Sequence, residues 1–200
     1  LTLVPRDCAH SEEVERAVQR ARNSRVPCGD HEVRVVRLHE DVPENALEVA
    51  VSPSTPTLLD AVREGVDWEA KYICLLSADV VVTKGWLRGL IVAAESDDAV
   101  GAVGPLANEA PALQRKKGEY ENLKKQLQRF AADVGRANRQ AWRDVDYLGG
   151  FCLLLKSEAV REAGGVRTDV PTATALWDLF TRLRDKGRRI LCADDVYVHH

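Results

Sequence analysis

An apolar run from Tyr72 to Leu76 stops abruptly at Ser77 and Asp79, and this junction constrains the fold more than any other feature of the sequence. The run does not alternate with polar residues, which is typical of a strand buried on both faces of a sheet. In open α/β sheets, ligands bind just outside the carboxyl ends of the strands. Asp79 is therefore a candidate to hold a metal ion or a phosphate-bearing ligand. The alternative is an aspartate that only caps a turn.

Strand-like and helix-like segments alternate before this junction. Residues 1–4, 31–38 and 47–51 have strand patterns, and apolar residues at helical spacing follow Ser11 and recur over residues 58–66. Such alternation predicts an α/β fold with a mostly parallel central sheet and helices on both of its faces.

The same pattern continues after the junction. Trp86 to Glu95 has the apolar spacing of a helix, residues 99–105 form a short strand pattern, and the charged segment 115–139 is predicted to be helical. A buried strand pattern follows the glycine pair Gly149 and Gly150, and residues 177–187 complete the pattern with a helix that ends at Gly187.

Composition excludes several classes of function. The 200 residues suit a single domain, 1–200, and a formal net charge of −3 gives no electrostatic basis for binding nucleic acid. No apolar run approaches the ~20 residues of a membrane span, and no signal-peptide pattern is present, so we expect a cytoplasmic protein. The chain lacks Met and begins at Leu1, so we expect a piece of a longer protein with adjacent domains.

Five scattered cysteines lack the C-x-x-C spacing of a metal or redox site. We expect buried, reduced thiols, which is the usual state of cysteine in a cytosolic protein. A disulfide or a zinc site is the alternative.

Four segments occur in an order and spacing that resemble a known family. They are LLSADVVVTKGWL (75–87), VGAVGP (100–105), GGFCLLLKSEAV (149–160) and DDVYVHH (194–200). Together they resemble the inverting family 2 glycosyltransferases, which have the GT-A fold, and in particular a bacterial subgroup found beside tetratricopeptide arrays. The resemblance implies a nucleotide-binding half, 1–105, and an acceptor-side half, 106–200.

The resemblance also implies a donor site with a divalent metal, Mn²⁺ or Mg²⁺. The last aspartate of the family's DxD-type motif holds this metal against the diphosphate of the nucleotide sugar, and Asp79 matches it, with Ser77 at the first motif position. Pro5 and Asp7 match the nucleotide contacts that follow the first strand. His200 matches a further metal or diphosphate contact, although an ordinary chain end is the alternative.

The acceptor-side half carries the remaining implied residues. Gly149, Gly150 and Phe151 match a segment that lies beside the donor sugar, or they form an ordinary packing strand. The family's general base, an aspartate that takes a proton from the acceptor hydroxyl, belongs to an acidic cluster that opens the last helix. Asp178 is the acid that remains there, and Leu176 occupies the position expected for the base.

Two functions stay open because Arg37, Ser77 and Leu176 stand where the family has acidic residues. The first is inverting transfer of a sugar from a nucleotide-sugar donor to a hydroxyl of a glycan or another acceptor. The second is a catalytically degenerate glycosyltransferase-like domain that serves as a scaffold or binds a glycan or a protein. Loss of a general base alone typically reduces a rate 10²–10⁴-fold, which is why the missing acids matter.

Overall fold

A computed structural model describes residues 33–34, 71–76, 80–118, 120–121 and 125–200. The strands in this part of the chain are β1 (Val33–Arg34), β2 (Tyr72–Leu76), β3 (Val100–Ala107), β4 (Trp142–Asp144), β5 (Cys152–Lys156) and β6 (Arg189–Val198). The helices are α1 (Trp86–Ala94), α2 (Gln126–Ala137), α3 (Ser157–Glu162) and α4 (Thr172–Asp185), with a 3₁₀ turn at Ala112–Gln114. None of these helices is long and apolar enough to cross a bilayer. The strand patterns at 1–4 and 47–51 lie outside the described residues.

The described strands form one sheet in the order β1-β2-β5-β3-β6-β4. β1 is parallel to β2 and β3 is parallel to β6, whereas β5 is antiparallel to both β2 and β3, and β4 is antiparallel to β6. Four of these six strands, β1, β2, β3 and β6, therefore run in one direction, with β4 and β5 reversed. The predicted α/β class with a mostly parallel sheet is confirmed.

β2 is buried on both faces, as its apolar run predicts, because alternate residues enter two different cores. Ile73 and Leu75 pack in one core with residues of α3 and α4, whereas Tyr72, Cys74 and Leu76 pack in the other with residues of α1. Helices thus cover both faces of the sheet, as predicted. Burial of each large apolar side chain contributes roughly 1.5–3 kcal/mol, so the core that flanks β2 dominates the stability of the described domain.

Two helix predictions need correction. The charged segment 115–139 was expected to be one helix, but α2 begins only at Gln126, and the segment instead opens with an isolated bridge in which Lys116 donates its N–H to the carbonyl oxygen of Ala107 at the end of β3. The last helix begins at Thr172, well before the predicted start at residue 177, because two further residues, Ala175 and Leu176, add to its buried face. Its end at Gly187, which has a φ of 73°, is confirmed.

The three described cysteines, Cys74, Cys152 and Cys192, are buried and free, in agreement with the expectation of reduced thiols. Burial, the largest cause, raises the pKa of Cys192 to about 12, so this thiol stays protonated at neutral pH. Cys8 and Cys28 lie outside the described residues.

Arg189, the first residue of β6, links three segments of the sheet edge. Its guanidinium donates to both carboxylate oxygens of Asp144 in β4, at 2.8 and 2.7 Å, and to Asp97 just before β3, at 3.0 Å. The bonds from Arg189 are the largest cause that lowers the pKa of Asp144. The pKa of Asp97 is lowered first by a hydrogen bond from the backbone of Ala99 and then by Arg189.

We expect Arg189→Met to lower the urea midpoint at neutral pH and to flatten the acid limb of the stability curve. A folded-state pKa below the ordinary value of 3.8 means that the stabilisation is complete above that pH and is lost as the pH falls through the folded-state pKa. Urea unfolding at a series of pH values measures both effects. Arg136→Met, which removes an exposed pair with Asp133 within one helix, is the control. Parallel pH profiles for the wild type and Arg189→Met would contradict the assignment.

Candidate functional site

His200 is the second residue after β6, and Asn108 lies immediately after the parallel neighbour β3. The register of the two strands pairs Ala107 with Val198, so both chains leave the sheet at the same edge. The Asn108 side chain donates to the carbonyl oxygen of His200 at 2.5 Å and accepts from its backbone N–H at 2.8 Å. These two bonds fix the backbone of His200 at the strand ends.

The imidazole of His200 is fixed as well. Its Nδ1 lies 2.7 Å from the carbonyl oxygen of Glu109, and since a carbonyl only accepts, Nδ1 is the donor. A neutral ring that donates from Nδ1 carries its lone pair on Nε2, which is how a backbone carbonyl orients a metal-binding histidine. The ring also stacks on Phe151, with centroids 4.9 Å apart and planes 13° from parallel.

An antiparallel bridge connects the end of β6 to the segment that follows Asp79. Val81 donates its N–H to the carbonyl oxygen of His199 at 2.8 Å, and His199 donates to Val81 at 3.0 Å. Val81 is two residues after Asp79 in the sequence. The bridge therefore places Val81, which follows the candidate motif, beside His199, the residue that precedes His200.

Aromatic side chains support this corner of the sheet. The Tyr120 hydroxyl lies 2.7 Å from Nδ1 of His199 and 3.0 Å from the Tyr197 hydroxyl, and the Phe130 ring packs edge-on against Tyr197 at 4.9 Å. Burial raises the pKa of both tyrosines, so the hydroxyls stay neutral. The Thr83 hydroxyl donates to the carbonyl oxygen of Tyr197 at 2.6 Å.

The glycine loop before β5 is held by a buried amide. Gln114, which is 0% exposed, accepts from the N–H of Gly149 at 2.6 Å and donates to the carbonyl oxygen of Pro105 at 2.9 Å. A Cβ on Gly149 would lie 2.9 Å from both Pro111 and Phe151, so the loop needs a glycine there. Through Phe151, this loop contacts the His200 ring.

Asp178 lies in the second turn of α4 and does not open the helix. Its described hydrogen bonds come from Arg182, whose Nε and Nη2 both donate to Oδ2 at 2.9 and 2.7 Å, and none joins it to His200 or Phe151. Arg182 also donates to the carbonyl oxygen of Ala163. Leu176, at the position expected for the base, is 2% exposed and belongs to the core.

The structure brings together two of the predicted groups, His200 and the loop Gly149 to Phe151. Four further predicted residues, Pro5, Asp7, Ser77 and Asp79, lie outside the described residues. Within the described ranges, no group of three or more His, Cys, Asp or Glu side chains could hold a metal. His200 is thus one candidate ligand whose orientation fits a metal.

Sequence reasoning missed the two amides that position these residues. Asn108 has a weak signal, since a polar residue that directly follows a buried strand lies at the ligand-binding edge of the sheet. Gln114 has no such signal in the sequence, because nothing in the local pattern distinguishes a buried glutamine from an exposed one.

No family model matches the sequence, and no curated protein matches it. Solved structures do match. GalNAc-T7, solved with UDP, GalNAc and Mn²⁺, aligns with a TM-score of 0.65 at 11% identity over 100% of this chain. The mannosyltransferase PcManGT from Pyrobaculum calidifontis, solved with GDP-Man and Mn²⁺, aligns with a TM-score of 0.60 at 16% identity, also over 100% of this chain. The chain has the GT-A fold. This GT-A domain spans 43% and 56% of the length of those two chains.

We expect Gln114→Ala to destabilise the GT-A domain by roughly 1–3 kcal/mol, since it leaves a buried N–H of Gly149 and the carbonyl of Pro105 without their partner. Urea unfolding measures the loss. Leu113→Ala, which truncates an exposed neighbouring side chain, is the control and should change stability by less than about 0.5 kcal/mol. Equal stability of the two variants would contradict the role of Gln114.

Proposed function

We propose that this GT-A domain binds a nucleotide-sugar donor with Mn²⁺ or Mg²⁺ and transfers the sugar, with inversion, to an acceptor hydroxyl, as family 2 glycosyltransferases do. The observation that carries the proposal is the fixed imidazole of His200 at the strand ends, with Nδ1 bound to the carbonyl oxygen of Glu109. In the proposal, Nε2 would be the ligand atom. GalNAc-T7 and PcManGT, whose structures contain a nucleotide and Mn²⁺, support a donor of this general type.

Asp79 and His200 would hold the metal, and Ser77, Pro5 and Asp7 would contact the nucleotide. A bound divalent ion supplies stabilisation of the negative charge that develops on the leaving diphosphate. The bridge between Val81 and His199 supports the pairing of Asp79 with His200, because it joins the chain segments that carry them.

Gly149, Gly150 and Phe151 would lie beside the donor sugar, and Asp178 would act as the general base. The acceptor oxygen attacks the anomeric carbon and gives its proton to the carboxylate while the nucleotide leaves from the opposite face. Arg182 donates twice to Oδ2 of Asp178, so Oδ1 is the oxygen that would take the proton.

A second candidate function is a non-catalytic domain that binds a glycan or a protein. One specific observation favours it. Leu176 is buried in the core at the position where the resemblance puts the base, and Asp178 is held by Arg182 one turn further along the helix. Arg37 and Ser77 likewise replace family acids in the sequence.

Calorimetric titration of UDP, GDP and dTDP into the purified chain, with and without Mn²⁺, tests the donor site. We expect Mn²⁺-dependent binding of one nucleotide, and we expect Asp79→Ala and His200→Ala each to weaken it at least tenfold, or about 1.4 kcal/mol. Asp133→Ala, an exposed acid on α2, is the control. If the folded chain binds none of the three nucleotides, the donor site is wrong and the second candidate stands.

Asp178→Asn tests catalysis separately from binding. We expect the rate of sugar transfer from the donor identified by titration to fall 10²–10⁴-fold, because the amide cannot accept the proton, while nucleotide affinity stays unchanged. Release of the nucleoside diphosphate measures the rate. Asp185→Asn in the last turn of the same helix is the matched control. An unchanged rate in Asp178→Asn would exclude this residue as the base.

A further inference from the structure

Trp177 is an exposed aromatic side chain that does not belong to the core. Its exposed fraction is 56%, against 52% for Leu113 and 42% for Val92, the other exposed large hydrophobic residues of the described chain. The buried face of α4 consists of five other residues: Ala175, Leu176, Leu179, Phe180 and Leu183. Packing of the helix therefore does not explain a tryptophan at this position, and tryptophan is enriched at binding interfaces because its ring offers a large apolar area and a polar N–H.

The Trp177 indole packs against a second ring, that of Tyr147. The centroids of Trp177 and Tyr147 are 5.7 Å apart with planes 35° from parallel, and Tyr147 in turn packs edge-on against the buried ring of Phe180 at 5.6 Å. We refer to Trp177 and Tyr147 as the aromatic platform. Because Phe180 belongs to the core, it anchors Tyr147 of the platform.

Polar groups border the aromatic platform. Thr181 and Arg184 follow Trp177 by four and seven residues, which places them on the same side of α4. The Thr181 hydroxyl donates to the carbonyl oxygen of Trp177 at 2.9 Å, and Arg184 pairs with Asp146, the neighbour of Tyr147, at 2.5 Å. An apolar ring surface thus lies beside charged donors and acceptors. A pyranose ring has the matching chemistry, with a face of C–H groups and an edge of hydroxyls.

We propose that the aromatic platform binds a pyranose ring of a glycan acceptor, stacked on Trp177. This inference rests on the proposed function and specifies that the acceptor is a saccharide. Tyr147 belongs to the loop that continues through Gly149 to Phe151, the ring that contacts His200, so the platform adjoins the proposed donor site in the chain. Asp178, the proposed base, is the next residue after Trp177.

The size of the aromatic platform favours a sugar over a protein partner. Stable protein interfaces bury about 800 Å² on each partner, whereas the platform offers one exposed ring, Trp177, with the half-buried Tyr147 beside it, which suits a single sugar ring. The charged residues beside the platform, Asp146 and Arg184, suit hydroxyl groups better than an apolar partner surface.

Binding of the fluorescently labelled chain to an array of unmodified oligosaccharides, without nucleotide or metal, tests the inference. The strongest oligosaccharide is then titrated while tryptophan fluorescence is followed. We expect Trp177→Ala to weaken its affinity at least tenfold and Trp177→Phe to keep part of it. Val92→Ala, which truncates an exposed apolar side chain on α1, is the matched control and should bind as the wild type does.

The inference is overturned if no oligosaccharide binds the folded chain, if binding is unchanged in Trp177→Ala, or if Trp177→Ala abolishes self-association of the chain and leaves oligosaccharide binding intact. Mn²⁺-dependent nucleotide binding should be the same in Trp177→Ala and the wild type.

If Trp177-dependent oligosaccharide binding occurs without nucleotide binding, the proposed donor site fails and the aromatic platform stands. If nucleotide binding occurs and oligosaccharides do not bind, the platform alone fails. A loss of nucleotide-sugar binding in Trp177→Ala without oligosaccharide binding would place the donor sugar there and overturn the acceptor assignment.

Discussion

The two hydrogen bonds between the Asn108 side chain and the backbone of His200 are the interaction on which the candidate site depends. Parallel pairing of β3 and β6 brings their carboxyl ends to one edge of the sheet, but pairing alone does not fix the chain beyond the last strand residue. The Asn108 side chain fixes the backbone two residues beyond β6, and the Glu109 carbonyl and the Phe151 ring then fix the imidazole. Gln114 acts in the same way on the glycine loop. The Gln114 bonds are buried, where hydrogen bonds are stronger than in water and costly to break, whereas those of Asn108 are half-buried.

Local sequence pattern was sufficient for most of the fold. The unalternating run of β2, the apolar spacing of α1 and the glycine after α4 all predict what the structure has, because each reflects burial or backbone conformation of nearby residues. The reversed strand β5 between β2 and β3 is a pairing between distant segments, and the start of α4 at Thr172 depends on burial of Ala175 and Leu176 against other elements. Neither is encoded within a short window of sequence.

The candidate site was predictable only in part for the same reason. Resemblance pointed to His200 and to the glycine loop, and the structure places these two groups in contact. The partners that hold them, Asn108 and Gln114, lie far away in sequence and could not be assigned from it. For Asp178 the residue type was evident from the sequence, whereas its bonds to Arg182 were not. Asp79 lies outside the described residues, and its role remains a proposal.

The opening turns of α4 differ in chemistry from the acidic cluster that the family resemblance implies. A buried leucine, an exposed tryptophan and an aspartate paired with arginine occupy this stretch, so it offers one carboxylate and an aromatic surface. The central claim, that Asp79 and His200 share a divalent ion, is tested most directly by the anomalous difference map of crystals grown with Mn²⁺ and the nucleoside diphosphate that binds. We predict a manganese peak about 2.0–2.6 Å from Nε2 of His200 and from a carboxylate oxygen of Asp79. An ordered peak bound by other residues, with His200 Nε2 not coordinated, would contradict the claim.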